Sequence, residues 1–211
     1  FSFTWPQAIL RYSYYRTSSS FSSKDMSLLQ NYFQNLASTT DPFFERLATN
    51  SGGKDQLVQY HVLGGQYEWN EWTFISEFDY ERPSESQFSV GFRGGYLSVA
   101  RQIGAFSVYG LGSFIKSRPA HHLYTDLETA RNIPAPDVNP IILSAVLDGA
   151  HKAYDAVNYT TRHFGVGVRY DINDHLDLKT ELERSATKGP TVGGTSPSTQ
   201  KMLTFVLDWV F

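Results

Sequence analysis

The sequence contains no cysteine. That absence excludes a disulfide scaffold, a thiol nucleophile and a cysteine-ligated metal site together. Long apolar runs are missing too. The longest, Ile141-Ile142-Leu143-Ser144-Ala145-Val146-Leu147, falls well short of the ~18 residues a membrane-crossing helix needs, so a helical membrane protein is excluded. Neither sign of charge dominates. With 18 basic and 21 acidic side chains, net charge −3 and an isoelectric point near 6.1, there is no basic footprint for nucleic acid. The opening residues Phe1-Ser2-Phe3-Thr4-Trp5 lack the basic start and small-residue cleavage site of a secretion signal. A mature form, a cytosolic protein or a piece of a longer chain is expected. What is abundant is aromatic: 15 Phe, 13 Tyr and 4 Trp in 211 residues, at a mean hydropathy of only −0.34.

The order of these residues shows a period of two, the signature of strands with unlike faces. Near the chain end, Leu203, Phe205, Leu207, Trp209 and Phe211 alternate with Met202, Thr204, Val206, Asp208 and Val210. Comparable alternation predicts strands over residues 7–17, 57–69, 72–82, 88–103, 105–118, 162–172 and 176–184. That makes about eight strands, most near the ~9–11 residues a tilted strand needs to span a bilayer. Their joins alternate in length. Strands two and three turn at Asn70-Glu71, four and five at Gly104, six and seven at Asn173-Asp174-His175. The odd joins are longer: 18–56, 83–87, 119–161 and 188–200. Short turns on one side and long loops on the other are the pattern of an outer-membrane barrel. The expected fold is an all-β antiparallel transmembrane barrel forming a single domain over 1–211. Loops 18–56, 119–161 and 188–200 are expected to be extracellular.

Two of those loops carry helical spacing. Residues 24–38 place Met26, Leu29, Tyr32, Phe33 and Leu36 on one face behind Ser22-Ser23 as caps, and 139–156 begin with Pro140 in a first-turn position. Such helices either fold inward to narrow a lumen or cover the mouth.

The faces carry the functional expectation. Leu176, Leu178 and Leu182 oppose Asp177, Lys179, Glu181 and Glu183; Trp72, Phe74, Phe78 and Tyr80 oppose Glu77, Asp79 and Glu81. In a membrane barrel the apolar row meets lipid and the polar row meets the lumen. Trp69, Trp72, Phe106, Trp209 and Phe211 cluster at short-turn ends, where an interfacial aromatic girdle belongs. The expected pore lining is Arg11, Glu68, Glu77, Asp79, Glu81, Arg93, Arg169, Asp171, Asp177, Lys179, Glu181 and Glu183. Eight acids against four bases do not pair off in a dry interior, where an unpaired charge costs several kcal/mol. A water-filled lumen, and so a barrel wider than eight strands close, is expected. Gly94-Gly95 is expected to form a bulge, leaving Arg101, Tyr109 and Leu111 without an assigned face. At the long-loop ends the lipid-facing rows meet Arg16, Arg82, Lys116, Arg118, Arg162, Arg184 and Lys201. These either form a collar on lipid and lipopolysaccharide phosphates or snorkel to water.

Three segments in order resemble the general porins of Gram-negative outer membranes. Residues 61–72 carry Trp69 and Trp72 about the Asn70-Glu71 turn; 95–109 are similar to the next porin hairpin; and 203–211 end on an aromatic residue. The resemblance covers 57–118 and 162–211. It implies a sixteen-stranded barrel in the bacterial outer membrane, passive diffusion of small polar solutes and a homo-trimer. It also implies that Phe205, Leu207, Trp209 and Phe211 form the signal read by the barrel-assembly machinery. The chain departs from the family in strand number and in lacking an identifiable constriction loop. It is therefore expected to be the carboxy-terminal half of a longer porin, with a complete eight-stranded barrel acting through its loops as the alternative.

Catalytic signatures are missing. No Gly-x-Ser-x-Gly elbow, His-Glu-x-x-His motif or phosphate loop occurs. His121-His122 would point to opposite faces of a strand and is expected in an exposed loop; Asp174-His175 reads as turn chemistry. No enzyme activity, metal or cofactor is expected, and the acid rows should make the channel weakly cation-preferring.

Overall fold

Strict alternation over most of the chain yields one antiparallel sheet in a computed structural model that describes residues 1–20, 24–39, 41–51, 56–83, 91–118, 121–134, 138–189 and 198–209. Its strands are β1 (Ser2–Trp5), β2 (Ala8–Ser19), β3 (Gln56–Trp69), β4 (Trp72–Pro83), β5 (Gly91–Ile103), β6 (Phe106–Arg118), β7 (Thr160–Asn173), β8 (Leu176–Lys188) and β9 (Ser198–Trp209). They pair in sequence order, each with the next, and no ladder joins β9 to β1 or β2 among the described residues. The nine strands exceed the eight expected because Phe1, Phe3 and Trp5 form a short alternating row of their own, and Ser2–Trp5 pairs antiparallel with the first half of β2.

The short turns follow from local chemistry. Asn70 adopts a left-handed conformation (φ 51°) and Gly104 does likewise (φ 60°). Asn and Gly tolerate that region better than other residues, which lets the strands reverse in two residues.

The expected bulge at Gly94-Gly95 is not formed. The β4–β5 and β5–β6 registers run without a shift, from Tyr80↔Arg93 to Trp72↔Arg101 and from Gly91↔Arg118 to Ile103↔Phe106. The glycines serve close strand approach instead. A Cβ at Gly95 would lie 2.8 Å from the Glu77 carbonyl oxygen, and one at Gly94 would lie 3.0 Å from Ile115 Cγ1. With alternation unbroken, Arg93 shares a side with Leu97 and Val99, which moves it off the polar face where the sequence reading put it.

The buried core lies elsewhere. Helices α1 (Lys24–Thr39) and α2 (Phe43–Asn50) follow β2, and α3 (His121–Asn132) and α4 (Pro140–Ala156) follow β6. The caps expected at Ser22-Ser23 lie outside the described residues. Just before α2, whose N-cap is Pro42, Asp41 accepts a hydrogen bond from the Phe43 N–H at 2.7 Å. Phe33, Leu36, Phe44 and Leu47 pack with Leu127, Leu143 and Leu147 in one cluster. The two long insertions, four strands apart in the sheet, therefore fold together. Arg46 bridges α2 to Asp126 of α3 at 2.9 Å, and the Tyr124 hydroxyl donates to Asp155 of α4 at 3.1 Å. Burial and the Asp155 charge push the Tyr124 phenol up to about 12. The helical spacing read from the sequence accounts for α1 and α4; α2 and α3 lie in segments where it marks no helix. His121 and His122 begin α3 rather than lying in a loop. No helix among the described residues is long and apolar enough to cross a membrane.

Candidate functional site

Directly opposed residues in an antiparallel ladder point to the same side, so the registers assign every strand residue to one of two faces. The first face is apolar along its middle. It carries Leu10 and Tyr12 of β2, Leu63 and Tyr67 of β3, Phe74 and Phe78 of β4, Leu97 and Val99 of β5. It continues through Val108 and Phe114 of β6, Phe164, Val166 and Val168 of β7, Leu178 and Leu182 of β8, and Leu203, Phe205 and Leu207 of β9. Among the described residues no second layer covers it: Phe164 is 62% exposed and Phe205 67%. No Asp or Glu occurs on this face in β2–β9.

The second face is polar. Arg11, Glu68, Glu77, Asp79, Glu81, Arg169, Asp171, Asp177, Lys179, Glu181 and Glu183 all fall on it by register. Asp208, opposite Asp177, joins them. With Arg93 on the other side, the acid excess is larger than the sequence reading made it. The acids are not equally compensated. On β7 and β8, Arg169 holds Asp171 at 2.8 Å and Asp177 at 3.0 Å, and Lys179 holds Glu181 at 3.1 Å. On β4, neither Glu77, Asp79 nor Glu81 has a basic group within ion-pair distance among the described residues.

Tyr109, which sequence reading could not assign, belongs to this face and completes the β7–β8 cluster. Its hydroxyl donates to Glu181 at 2.5 Å, and the Lys179 ammonium lies 5.2 Å from its ring centre. The contact exists because residue 167 is glycine. A Cβ there would sit 2.2 Å from the Tyr109 oxygen. Gly64 lies between Arg11 and Glu77, which stand opposite it on its two neighbours and line one recess of about 290 Å³. Gln102 bridges towards the same network, receiving a hydrogen bond from Ser107 and donating to Asp171 at 3.5 Å. The signal for its face was present in sequence, since unbroken alternation from Phe106 puts Tyr109 on the polar side; its place opposite Gly167 comes from the β6–β7 register.

Arg16, Arg82, Lys116, Arg118, Arg162, Arg184 and Lys201 lie on the apolar face at the long-loop ends of their strands, and Arg93 stands among them. Arg118 stacks over the Tyr80 ring at 4.8 Å. Phe205, Leu207 and Trp209 form the apolar row of β9; Phe211 lies outside the described residues. No three His, Asp or Glu side chains converge as a metal would require among the described residues.

Comparison with known proteins returns no match to any family model, curated protein or solved structure.

Proposed function

We propose that this chain forms wall of an outer-membrane β-barrel through which small polar solutes and ions diffuse passively, with a weak preference for cations. The observation that carries the reading is the division of the sheet into two faces. One is greasy, exposed and free of carboxylates; the other is rich in ionised groups. An apolar surface of this extent is unusual on a water-soluble monomer, where contiguous patches rarely exceed a few hundred Å². Burying each large side chain in hydrocarbon is worth ~1.5–3 kcal/mol. The same face in a soluble sandwich would be covered by a second layer, and the helical cluster keeps its core to itself.

The sheet edges support a wide wall. Among the described residues no ladder pairs the outer side of β9, or β2 beyond its pairing with β1, and hydrocarbon does not tolerate unpaired backbone groups. A sixteen-stranded barrel supplies the missing partners and the wet lumen that uncompensated Glu77, Asp79 and Glu81 require. A closed eight-stranded barrel would need β9 laddered to β1 or β2. In the proposed wall, the acids of β4 set the local potential, while Arg169 and Lys179 on the β7–β8 side hold their carboxylates in fixed pairs. Planar-bilayer recording tests the reading. Stable stepwise conductance is expected, and a protein that inserts without opening any step overturns it in favour of a filled barrel that binds through its helices.

A further inference from the structure

The recess of about 290 Å³ on the polar face holds one cation, Arg11, and one anion, Glu77, among its described lining residues. Neither is neutralised. No carboxylate lies within ion-pair distance of Arg11, and no basic group within that distance of Glu77, among the described residues. Elsewhere on this face the basic groups close on acids, as Arg169 does on Asp177 and Lys179 on Glu181. Arg11 and Glu77 instead keep a gap between them. They stand two strands apart, each opposite Gly64, which sets their backbones about 9.6 Å apart. Gly64 brings no side chain into that gap, and the Glu77 carboxylate leans over it: a Cβ on residue 64 would lie 3.4 Å from Glu77 Oε2.

The adjoining row, one step nearer the short turns, has a different character. Ile9, Gln66 and Ile75 stand opposite one another on β2, β3 and β4, all half-buried, and line the same recess. The Gln66 amide donates to Glu68 at 2.8 Å, which holds it between the two isoleucines. On the far side, Ser2 and Thr4 of β1 stand opposite Arg11 and Ile9 and close the edge. The short strand thus has a part to play beyond lengthening the sheet. One small space offers a cation, an anion and an apolar flank.

Resting on the pore reading above, we infer that this recess binds a zwitterionic α-amino acid with an apolar side chain. Its carboxylate meets the Arg11 guanidinium, where two N–H donors face two oxygens in one plane. Its ammonium donates to Glu77, and its side chain lies between Ile9 and Ile75. The two ionic groups of such a solute flank a single carbon atom, so one molecule spans the gap that the two side chains leave open. A solute of one sign gains one partner here and meets one repelling charge. A zwitterion gains two partners and is repelled by neither. An uncharged sugar leaves both ions as they were.

The test is a saturation-transfer NMR titration of the detergent-solubilised protein with four probes: L-valine, L-valinamide, N-acetyl-L-valine and glycine. Valine is expected to bind roughly tenfold more tightly than the cationic amide or the anionic acetyl derivative, about the worth of one charge-assisted hydrogen bond. Glycine, which has no side chain for the isoleucines, is expected to bind at least threefold more weakly than valine. R11Q should lose the discrimination against valinamide and still reject N-acetylvaline; E77Q should do the reverse. That reciprocal pattern is one a misfolded variant cannot give. R11K and E77D keep both charges and are expected to keep the preference for valine. The proposal is overturned if valine binds no more tightly than both analogues, or if R11Q and E77Q leave both discriminations intact. Equal loss of both discriminations in R11K or E77D overturns it as well. Conductance is recorded on the same samples. Valine binding without conductance counts against the pore alone, whereas normal conductance without that binding counts against the amino-acid site alone.

Discussion

Neutralising the carboxylates of β4 should weaken cation preference, and the size of the effect follows from their lack of partners. Glu77, Asp79 and Glu81 share the polar face, and no basic group lies within ion-pair distance of them among the described residues. A unit charge acts on an ion ~10 Å away with ~0.4 kcal/mol in water, cut to ~0.15 kcal/mol at about 0.1 M salt, where the Debye length is about 10 Å. Three such charges give ~0.5 kcal/mol, roughly doubling local cations and halving local anions. E77Q/D79N/E81Q should therefore lower the cation-to-anion permeability ratio about fourfold at about 0.1 M, and by only ~1.2-fold at about 1 M, where screening is complete within ~3 Å. The assay is the reversal potential across a bilayer under a salt gradient. K179Q/E181Q, which removes a bonded pair without changing net charge, should leave the ratio unaltered. An unchanged reversal potential in the β4 variant at low salt, or an equal shift at high salt, refutes the reasoning.

Three further outcomes follow from the geometry. Gly167→Ala should displace Tyr109 from Glu181, because the new methyl would overlap the phenol oxygen. A destabilisation of ~1–3 kcal/mol is expected in denaturant unfolding, and a variant as stable as the parent would contradict the packing described. Leu47→Ala, in the helical cluster where Leu47 is fully buried, should cost ~2–5 kcal/mol of that cluster's stability. Proteolysis should then cut the helices while the strands survive; simultaneous loss of both would show that the two parts are one cooperative unit. The Tyr124 phenol, with its pKa raised to about 12 in the fold, stabilises the cluster fully below the ordinary tyrosine range. That contribution is lost as pH rises through the folded value. The tyrosine absorbance titration should show a late-ionising group near 12 that disappears in Tyr124→Phe, and an identical titration in the variant would refute the assignment.

Much of the sheet was legible in the sequence because period-two alternation is a local property, visible without knowing any partner strand. The hairpins at Asn70-Glu71 and Gly104 were legible for the same reason, since each turn carries its own conformational cause. Arg93 was misplaced because Gly94-Gly95 suits two local structures, a bulge and a close strand approach. Only the neighbouring Glu77 carbonyl and Ile115 side chain decide between them. β1 escaped notice through brevity, although Phe1, Phe3 and Trp5 alternate plainly. The helical cluster was harder still. α2 is eight residues long, and its Phe44 and Leu47 acquire meaning only against Leu127 and Leu147, some eighty to a hundred positions away. The polar face was readable as a set of residue types. Which acids are compensated was not, because Tyr109, Lys179 and Glu181 meet across three strands.

The absence of cysteine makes the central claim directly measurable. Single cysteines placed in turn from Met202 to Asp208 on β9, with the protein in bilayers, can be probed by a water-soluble thiol reagent and by a lipid-soluble quencher of an attached fluorophore. The account predicts strict alternation: positions 203, 205 and 207 are quenched from the lipid and shielded from the aqueous reagent, while 202, 204, 206 and 208 behave in the opposite way. Uniform reactivity along the strand, or shielding of the Leu203 row from both probes, would contradict it.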